Sequence, residues 1–572
     1  MALVKMKGIP KRRSRRTGLG LAVGVFLIVV VWRLVVIASQ NHLLAVANEA
    51  GSVPQFRERL STSSDGASLV YFRETENGLG TYFCDAASGT SRLLYEQREF
   101  GFNGYLGTVA WSPDNLLLAC AFKNDNDPRN PKREIDIFDG RSGQKMFKLD
   151  AIWESRFIWL SPRSFAYSRY NGAWLMFERG ADGGWVQTRV VNKFGKDDYL
   201  DNLVATSPHS VAWKQDNEVW TRDLLTGEEA MIWPSTNTLF GFTYNADKGD
   251  FLLNCANERG PVTLLLRPPH FGEKFGAIID SNPITNRPAS ALLQIVTGVY
   301  TFSIWTGKDP EPIQFDWDGM VEDFKLAGNF LYFVGNRANE TPAVWQYDLR
   351  DAKVRCLAPN PIDGFRFAKV VSPVIGTATT PQGRKISFHL WKPKALVGGK
   401  KYPLIIGQTH YVWNPYQQIA PEAGYYYATV DRATWADNID NWPEDVMTLH
   451  DLLAKEPGID TNRVYLSAFS AEALDVVQVL AVRPDICKGV ILFNPSAMPD
   501  LSNAKFSRLL VFGGKDDDAG IPVAQLEESQ DTLAKAGVQV TLIIQEGAQH
   551  VARSVATERE RARQFAKFLM EN

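Results

Sequence analysis

The sequence predicts an N-terminal membrane-spanning helix, an all-β propeller of about seven blades and a C-terminal α/β domain. Three observations support this: a basic segment followed by an apolar run at the N-terminus, a turn motif that recurs through the middle of the chain, and alternating strands and helices near the end. The 572 residues are too many for one ordinary domain. We place the tail and anchor at residues 1–47, the propeller at 48–370 and the α/β domain at 371–572.

Composition excludes several classes of protein. Hydrophobic residues make up 45% and charged residues 22% of the chain, which excludes a disordered or fibrous protein. Eight of the 62 Lys and Arg residues lie in the first 47 residues, which leaves 54 basic against 64 acidic residues elsewhere. We therefore expect no nucleic-acid partner. The five cysteines lack the spacing of a zinc site or a disulfide framework, and we expect neither a metal nor a cofactor.

The N-terminus has the pattern of a membrane anchor. Residues 11–16 are mostly basic, and the run from Leu19 to Ile37 is apolar apart from Arg33. About 20 apolar residues span a bilayer as a helix, and Arg33 is near enough to its end to snorkel. The positive-inside rule keeps the basic flank cytoplasmic and exports the rest, to the periplasm if the protein is bacterial. The alternative is a cleaved signal peptide with residues 45–47, Ala-Val-Ala, as the cleavage site.

The middle of the chain repeats a turn motif. One serine marks each clear copy, and the steps between copies are 48, 49 and 46 residues: Ser64, Ser112, Ser161 and Ser207. An Asp-x-x-Ser/Thr-Gly turn closes three of these units: residues 85–89, 139–143 and 223–227. Weaker copies follow near residues 245, 293 and 326. A period of about 40–50 residues with several strands per unit is typical of a β-propeller. Counting the weak copies gives seven blades, and an irregular array of β-sandwiches is the alternative.

The last part of the chain places three polar residues after strands. From residue 371, apolar strands alternate with helices, which predicts a parallel sheet covered on both faces. Ser470 lies in a tight turn between a strand and a helix, where an α/β-hydrolase holds its nucleophile. Asp516 follows a later strand and His550 follows the last one. The order Ser, Asp, His is the one that this fold requires.

These residues have defined roles in such a site. His550 would take the proton of Ser470, and Asp516 would orient the imidazole. The N–H of Ala471 would donate to the oxyanion. Each residue also has a structural alternative: Ser470 as a helix cap, Asp516 in a solvated turn, His550 on a surface loop. Their joint placement at strand ends favours the catalytic interpretation.

A propeller followed by an α/β-hydrolase domain resembles the prolyl oligopeptidase family of serine peptidases, and the N-terminal anchor resembles that of its dipeptidyl-peptidase branch. The local likeness is strongest in residues 445–466, 509–516 and 535–550. The resemblance implies hydrolysis of oligopeptides, with the propeller excluding folded proteins. It also implies Tyr411 as a second oxyanion donor and Asp516 as the catalytic aspartate, with Asp517 in reserve. A homodimer is left open.

We call the tight turn around Ser470, residues 468–472, the elbow. It departs from the family pattern Gly-x-Ser-x-Gly, because Ala468 and Glu472 replace the two glycines. Glu472 at the start of a helix favours the helix dipole, or it faces the site and attracts a cationic group of the substrate. This departure keeps three alternatives open: a catalytically inactive relative that binds a peptide or partner, an isopeptidase, and an esterase of the same fold.

Overall fold

The computed structural model describes most of the chain. The described residues are 33, 36–54, 56–97, 109–124, 132–150, 157–168, 174–181, 183–191, 201–233, 238–245, 250–257, 260–267, 277–279, 290–296, 299–305, 312–337, 340–360, 370–408, 414–430, 442–498, 505–517, 520–548, 550 and 554–571.

Seven small antiparallel sheets, each a simple meander, form the first domain within the described residues. Their strands are β1 (Phe56–Thr62), β2 (Ser68–Glu74), β3 (Leu79–Asp85), β4 (Ser91–Gln97); β5 (Val109–Trp111), β6 (Leu117–Asn124), β7 (Lys132–Asp139), β8 (Lys145–Asp150); β9 (Phe157–Ser161), β10 (Ser164–Ser168), β11 (Trp174–Arg179), β12 (Trp185–Val191); β13 (Asp201–Ser207), β14 (Ser210–Gln215), β15 (Glu218–Asp223), β16 (Glu229–Trp233); β17 (Thr238–Asn245), β18 (Asp250–Asn257), β19 (Gly260–Arg267), β20 (Ala277–Ile279); β21 (Ser290–Val296), β22 (Val299–Trp305), β23 (Ile313–Trp317); and β24 (Gly319–Ala327), β25 (Phe330–Arg337), β26 (Ala343–Asp348), β27 (Lys353–Ala358).

The seven sheets close into a ring. The first strands of neighbouring sheets lie side by side, β1 with β5, β5 with β9, β9 with β13 and β13 with β17. The ring closes where β1 lies against β24 and the Leu60 N–H donates to the Asp323 carboxylate at 2.6 Å. The propeller predicted from the repeat is confirmed, with seven blades in the described residues.

The recurring Asp-x-x-Ser/Thr-Gly motif forms the turn between the third and fourth strands of a blade. In the first blade, Asp85 accepts from the Ser88 N–H at 2.7 Å and from its hydroxyl at 2.8 Å. These two bonds lower the pKa of Asp85. Gly89 closes the turn at φ 71°, a left-handed conformation that favours glycine. The motif is therefore a structural device of the blade.

The second domain is an eight-stranded sheet in the order β28-β29-β31-β30-β32-β33-β34-β35, parallel from β31 through β35. Its elements are β28 (Val374–Thr379), β29 (Lys385–Trp391), β30 (Tyr402–Gln408), α2 (Tyr416–Glu422), β31 (Tyr426–Val430), α3 (Trp442–Leu453), β32 (Ile459–Phe469), α4 (Glu472–Val482), β33 (Gly489–Phe493), β34 (Arg508–Gly514), α5 (Val523–Lys535), β35 (Gln539–Gln545) and α6 (Val555–Met570). An apolar core lies on each face of this sheet, as the continuous apolar strands predict.

A further helix, α1 (residues 36–50), packs on this second domain. Leu43, Ala47 and Ala50 are buried in the same core as Phe565 and other apolar residues of α6. The helix extends past residue 47, so the predicted boundary between anchor and propeller cuts through an element of the α/β domain. Among the described residues no helix is long and apolar enough to cross a bilayer. The predicted span lies almost wholly outside the described residues.

The contact between α1 and α6 predicts the effect of a side chain at Gly51. A Cβ there would lie 2.7 Å from both the Ala562 Cβ and the Arg559 Cα. We expect Gly51→Ala to destabilise the protein by about 1–3 kcal/mol through overpacking, measured as a lower Tm. Gly398→Ala is the matched control, since a Cβ at Gly398 meets nothing within 4 Å. Equal Tm values for the two variants would contradict the docking of α1.

Candidate active site

The parallel strands bring four loops to one edge of the sheet. Phe469 at the end of β32 pairs with Phe493 at the end of β33, and Phe493 pairs with Phe512 of β34. Gly514 at the end of β34 pairs with Gln545 at the end of β35. The residues that follow these ends therefore lie close together, although Ser470 and His550 are 80 positions apart in the sequence.

Ser470 occupies a sharp turn directly after β32. Its φ of 55° is left-handed, which is uncommon for a residue with a side chain. The Ser470 N–H donates to the Phe493 carbonyl at 3.0 Å, and its own carbonyl accepts from Ser496 at 3.1 Å. Such strain persists where the surroundings fix it, often at functional sites. Here the neighbouring strand and loop fix the elbow and project the hydroxyl beyond the sheet.

A chain of hydrogen bonds leads from this hydroxyl into the protein. The Ser470 Oγ lies 2.5 Å from the His550 Nε2. The His550 Nδ1 lies 3.0 Å from both carboxylate oxygens of Asp517. The side chains of His550 and Asp517 are 1% and 3% exposed. A buried carboxylate against Nδ1 favours the tautomer whose Nε2 can accept the serine proton.

The aspartate in this chain is Asp517, the reserve candidate, and the choice of Asp516 was wrong by one position. The Asp516 N–H donates to the Ala548 carbonyl at 3.1 Å, which continues the pairing beyond β35, and its side chain is exposed. The next residue turns inward, where the Asp517 carboxylate also accepts from the Gly520 N–H at 2.7 Å. A side chain at Gly520 would collide with this carboxylate. The glycine therefore lets the loop close over Asp517.

A buried polar network supports the loop that carries His550, which we call the histidine loop. No pattern in the sequence indicates this network. Asn494, directly after β33, has a φ of 43° and donates its amide to the His550 carbonyl. Arg561 of α6 donates to the Asn494 side chain at 2.9 Å and to Gln545. Arg561 is only 3% exposed, and buried arginines are rare unless they are well hydrogen-bonded. The network ties the backbone of His550 to α6.

Glu472 is buried at the start of α4. Its carboxylate accepts from the Phe469 N–H at 3.1 Å, which resembles the reverse arm of a capping box. Burial, and then the Glu472 charge, raise the pKa of the nearby Tyr427. Glu472 thus stabilises the elbow by accepting a hydrogen bond from its backbone. Its contact with a cationic substrate stays a prediction.

The two oxyanion candidates have different positions. Ala471 is the N-cap residue of α4, directly after Ser470. Within the described part of the chain its N–H donates to no recorded acceptor. Tyr411 lies outside the described residues. Ala471 lies directly beside the serine, and its role as an oxyanion donor stays a prediction.

The propeller contacts the α/β domain next to this site. Thr75 and Glu76 lie in the hairpin between β2 and β3, and the Val555 N–H at the start of α6 donates to the Thr75 carbonyl at 2.9 Å. The Arg559 guanidinium binds both Glu76 carboxylate oxygens at 3.0 and 2.8 Å. Because α6 follows the loop that carries His550, the first blade contacts the α/β domain beside the edge of the sheet that holds the site.

Comparison with known proteins identifies the fold. No protein-family model and no curated protein matches the chain. A structure from a study of two prolyl endopeptidases is 14% identical with a TM-score of 0.64, covering 93% of this chain and 91% of that one. A puromycin-hydrolysing peptidase of Mycobacterium tuberculosis is 12% identical with a TM-score of 0.67, covering 92% and 96%. An acylaminoacyl peptidase of Pyrococcus horikoshii is 14% identical with a TM-score of 0.52, covering 89% and 87%. The chain therefore shares their propeller and α/β-hydrolase fold over most of its length.

Variants of Asp516 and Asp517 test which of the two aspartates acts on His550. The structure indicates Asp517, whereas the sequence analysis favoured Asp516. We expect Asp517→Asn to lower kcat by about three to four orders of magnitude, because the amide favours the wrong histidine tautomer. Asp516→Asn is the matched control, and its exposed side chain predicts a change of a few-fold at most. Rates measured on one peptide substrate decide between them. The opposite ranking, or equal rates, would contradict the hydrogen-bonded chain.

Glu472 allows a second test of the site. Glu472→Ala leaves the Phe469 N–H without its acceptor, so we expect a stability loss of about 1–3 kcal/mol and a lower kcat/KM. Glu472→Gln retains an acceptor oxygen and should recover most of both. We expect the loss in kcat/KM to be equal on matched neutral and cationic peptides. A loss confined to the cationic peptide would instead place the carboxylate against the substrate.

Proposed function

We propose that the protein is a serine hydrolase of the prolyl oligopeptidase family that cleaves oligopeptides. The observation that supports this most is the continuous bonding of Ser470, His550 and Asp517, with distances of 2.5 and 3.0 Å. The fold shared with peptidases over most of the chain supports the same class.

The geometry suits acyl transfer. His550 Nε2 accepts the hydroxyl proton as the Ser470 Oγ attacks a carbonyl carbon, and Asp517 stabilises the imidazolium that forms. The Ala471 N–H, at the start of α4, donates to the oxygen that becomes negative. His550 then returns the proton to the leaving amine. A water molecule, deprotonated by His550, then attacks the acyl carbonyl, and the acyl group leaves Ser470 as a carboxylic acid.

The position of the propeller favours small substrates. The contacts of Thr75 and Glu76 with α6 bring the first blade over the edge of the sheet that carries the histidine loop. A substrate must therefore pass between the domains or through the ring of blades to reach Ser470. We propose that this excludes folded proteins and admits oligopeptides.

The alternatives are less well supported. An inactive relative has no need to keep the strained elbow and the buried Asp517 carboxylate against His550. An esterase or isopeptidase would use the same groups, so only substrate preference separates these activities. Measurement of kcat/KM on a matched peptide amide and ester distinguishes a peptidase from an esterase.

We also propose that the N-terminal run from Leu19 to Ile37 anchors the protein in a membrane, with the bulk of the chain exported. Two observations favour an anchor over a cleaved signal. Val46 and Ala47, within the alternative cleavage site, are both 0% exposed. Cleavage after residue 47 would also remove most of α1 from the core of the α/β domain.

A peptide series tests the proposed activity. We expect cleavage of short peptides, and no cleavage of the same sequence within a folded protein. Ser470→Ala should lower turnover by several orders of magnitude without changing Tm. Ser529→Ala is the control and should keep full activity, because Ser529 is a half-buried serine on α5 whose hydroxyl donates to the Gln525 carbonyl of the same helix. Turnover by the Ser470 variant near that of the parent chain would contradict the assignment.

A further inference from the structure

The loop between β29 and β30 exposes an apolar pair among lysines. Leu396 and Val397 are 51% and 62% exposed. Four exposed lysines of this loop flank the pair: Lys392, Lys394, Lys400 and Lys401. We call residues 392–401 the lysine loop. Exposed apolar side chains ringed by cations are the combination that binds the surface of an anionic bilayer.

The lysine loop lies at the opposite edge of the sheet from Ser470. It ends where β30 begins, at Tyr402, whereas Ser470 follows the carboxyl end of the parallel strand β32. Two acids at this edge are already paired. Asp460 binds Arg463 at 2.7 Å, and Glu422 binds Lys394 at 2.5 Å. The remaining lysines of the loop, Lys392, Lys400 and Lys401, outnumber the exposed Glu456, which lies at the same edge beside Tyr426.

The same edge is where α1 begins. His42 binds the Glu422 carboxylate at 2.8 Å, so Glu422 links α1 to the lysine loop. At the other end of α1, Gly51 lies against Ala562 in the first half of α6. The helix therefore runs from the edge with the lysine loop toward the propeller. α1 therefore begins, at residue 36, on the side of the lysine loop, and the predicted span precedes it in the sequence.

We propose that the lysine loop docks on an anionic phospholipid bilayer, with Leu396 and Val397 inserted between headgroups. The charge of the lysines, and the start of α1 on the same side of the domain, favour a bilayer as the occupant. Docking would hold the edge of the sheet with the lysine loop against the membrane and turn the propeller and Ser470 toward the aqueous side. This inference rests on the proposed anchor and is independent of the proposed peptidase activity.

Fluorescence quenching in lipid nanodiscs tests the docking with the full-length chain. The exposed Cys356 is first replaced by serine, and a fluorophore is attached through Val397→Cys. Val190→Cys on β12, 56% exposed, is the matched control on the propeller. In discs rich in phosphatidylglycerol we expect spin-labelled lipids to quench the Val397 label several-fold more than the Val190 label. Equal quenching at both positions, or failure of the chain to associate with the discs, would overturn the proposal.

The role of charge is measured in the same discs. We expect Lys392→Gln with Lys400→Gln to reduce quenching at Val397 in phosphatidylglycerol discs but not in phosphatidylcholine discs. Equal effects in both lipids would overturn the preference for anionic lipid. Labelling of Ser470 by a fluorophosphonate in each sample reports the hydrolase separately. Labelling of Ser470 without quenching at Val397 would overturn the docking but not the hydrolase. Quenching at Val397 without labelling of Ser470 would support the docking and count against the hydrolase.

Discussion

The parallel pairing of β32, β33, β34 and β35 is the constraint on which the rest of the site depends. Parallel strands end at the same edge, so the loops after Phe469, Phe493, Gly514 and Gln545 meet although they are far apart in sequence. The pairing also stabilises the strained elbow, because Ser470 donates to the Phe493 carbonyl. A left-handed residue costs about 1–3 kcal/mol, and these bonds help to offset that cost.

The histidine loop is held from two further directions. On one side, Asn494 binds the His550 carbonyl and is itself bound by the buried Arg561. On the other, the hairpin of the first blade binds the start of α6 through Thr75 and Glu76. The position of His550 therefore depends on both domains.

Much of this arrangement could be predicted from the sequence, and the exceptions have physical reasons. The repeat predicts the blades because each copy contains its own turn, and Ser470 and His550 follow apolar strands in a recognisable order. The aspartate was misplaced by one position, because three acids occur in succession and only the pairing of Asp516 with Ala548 decides which one turns inward. Arg561 carries no local signal, since its partners come from other loops. The hydropathy of the N-terminus predicts a span but not that α1 joins the core of the α/β domain.

The most direct test of the central claim is the site of covalent modification by a fluorophosphonate. Such a reagent reacts with a serine activated by a neighbouring base, so peptide mapping of the labelled full-length chain locates the nucleophile. The account predicts one adduct, on Ser470, and its loss in a His550→Ala variant. Absence of an adduct, an adduct on another serine, or undiminished labelling of the His550 variant would contradict it.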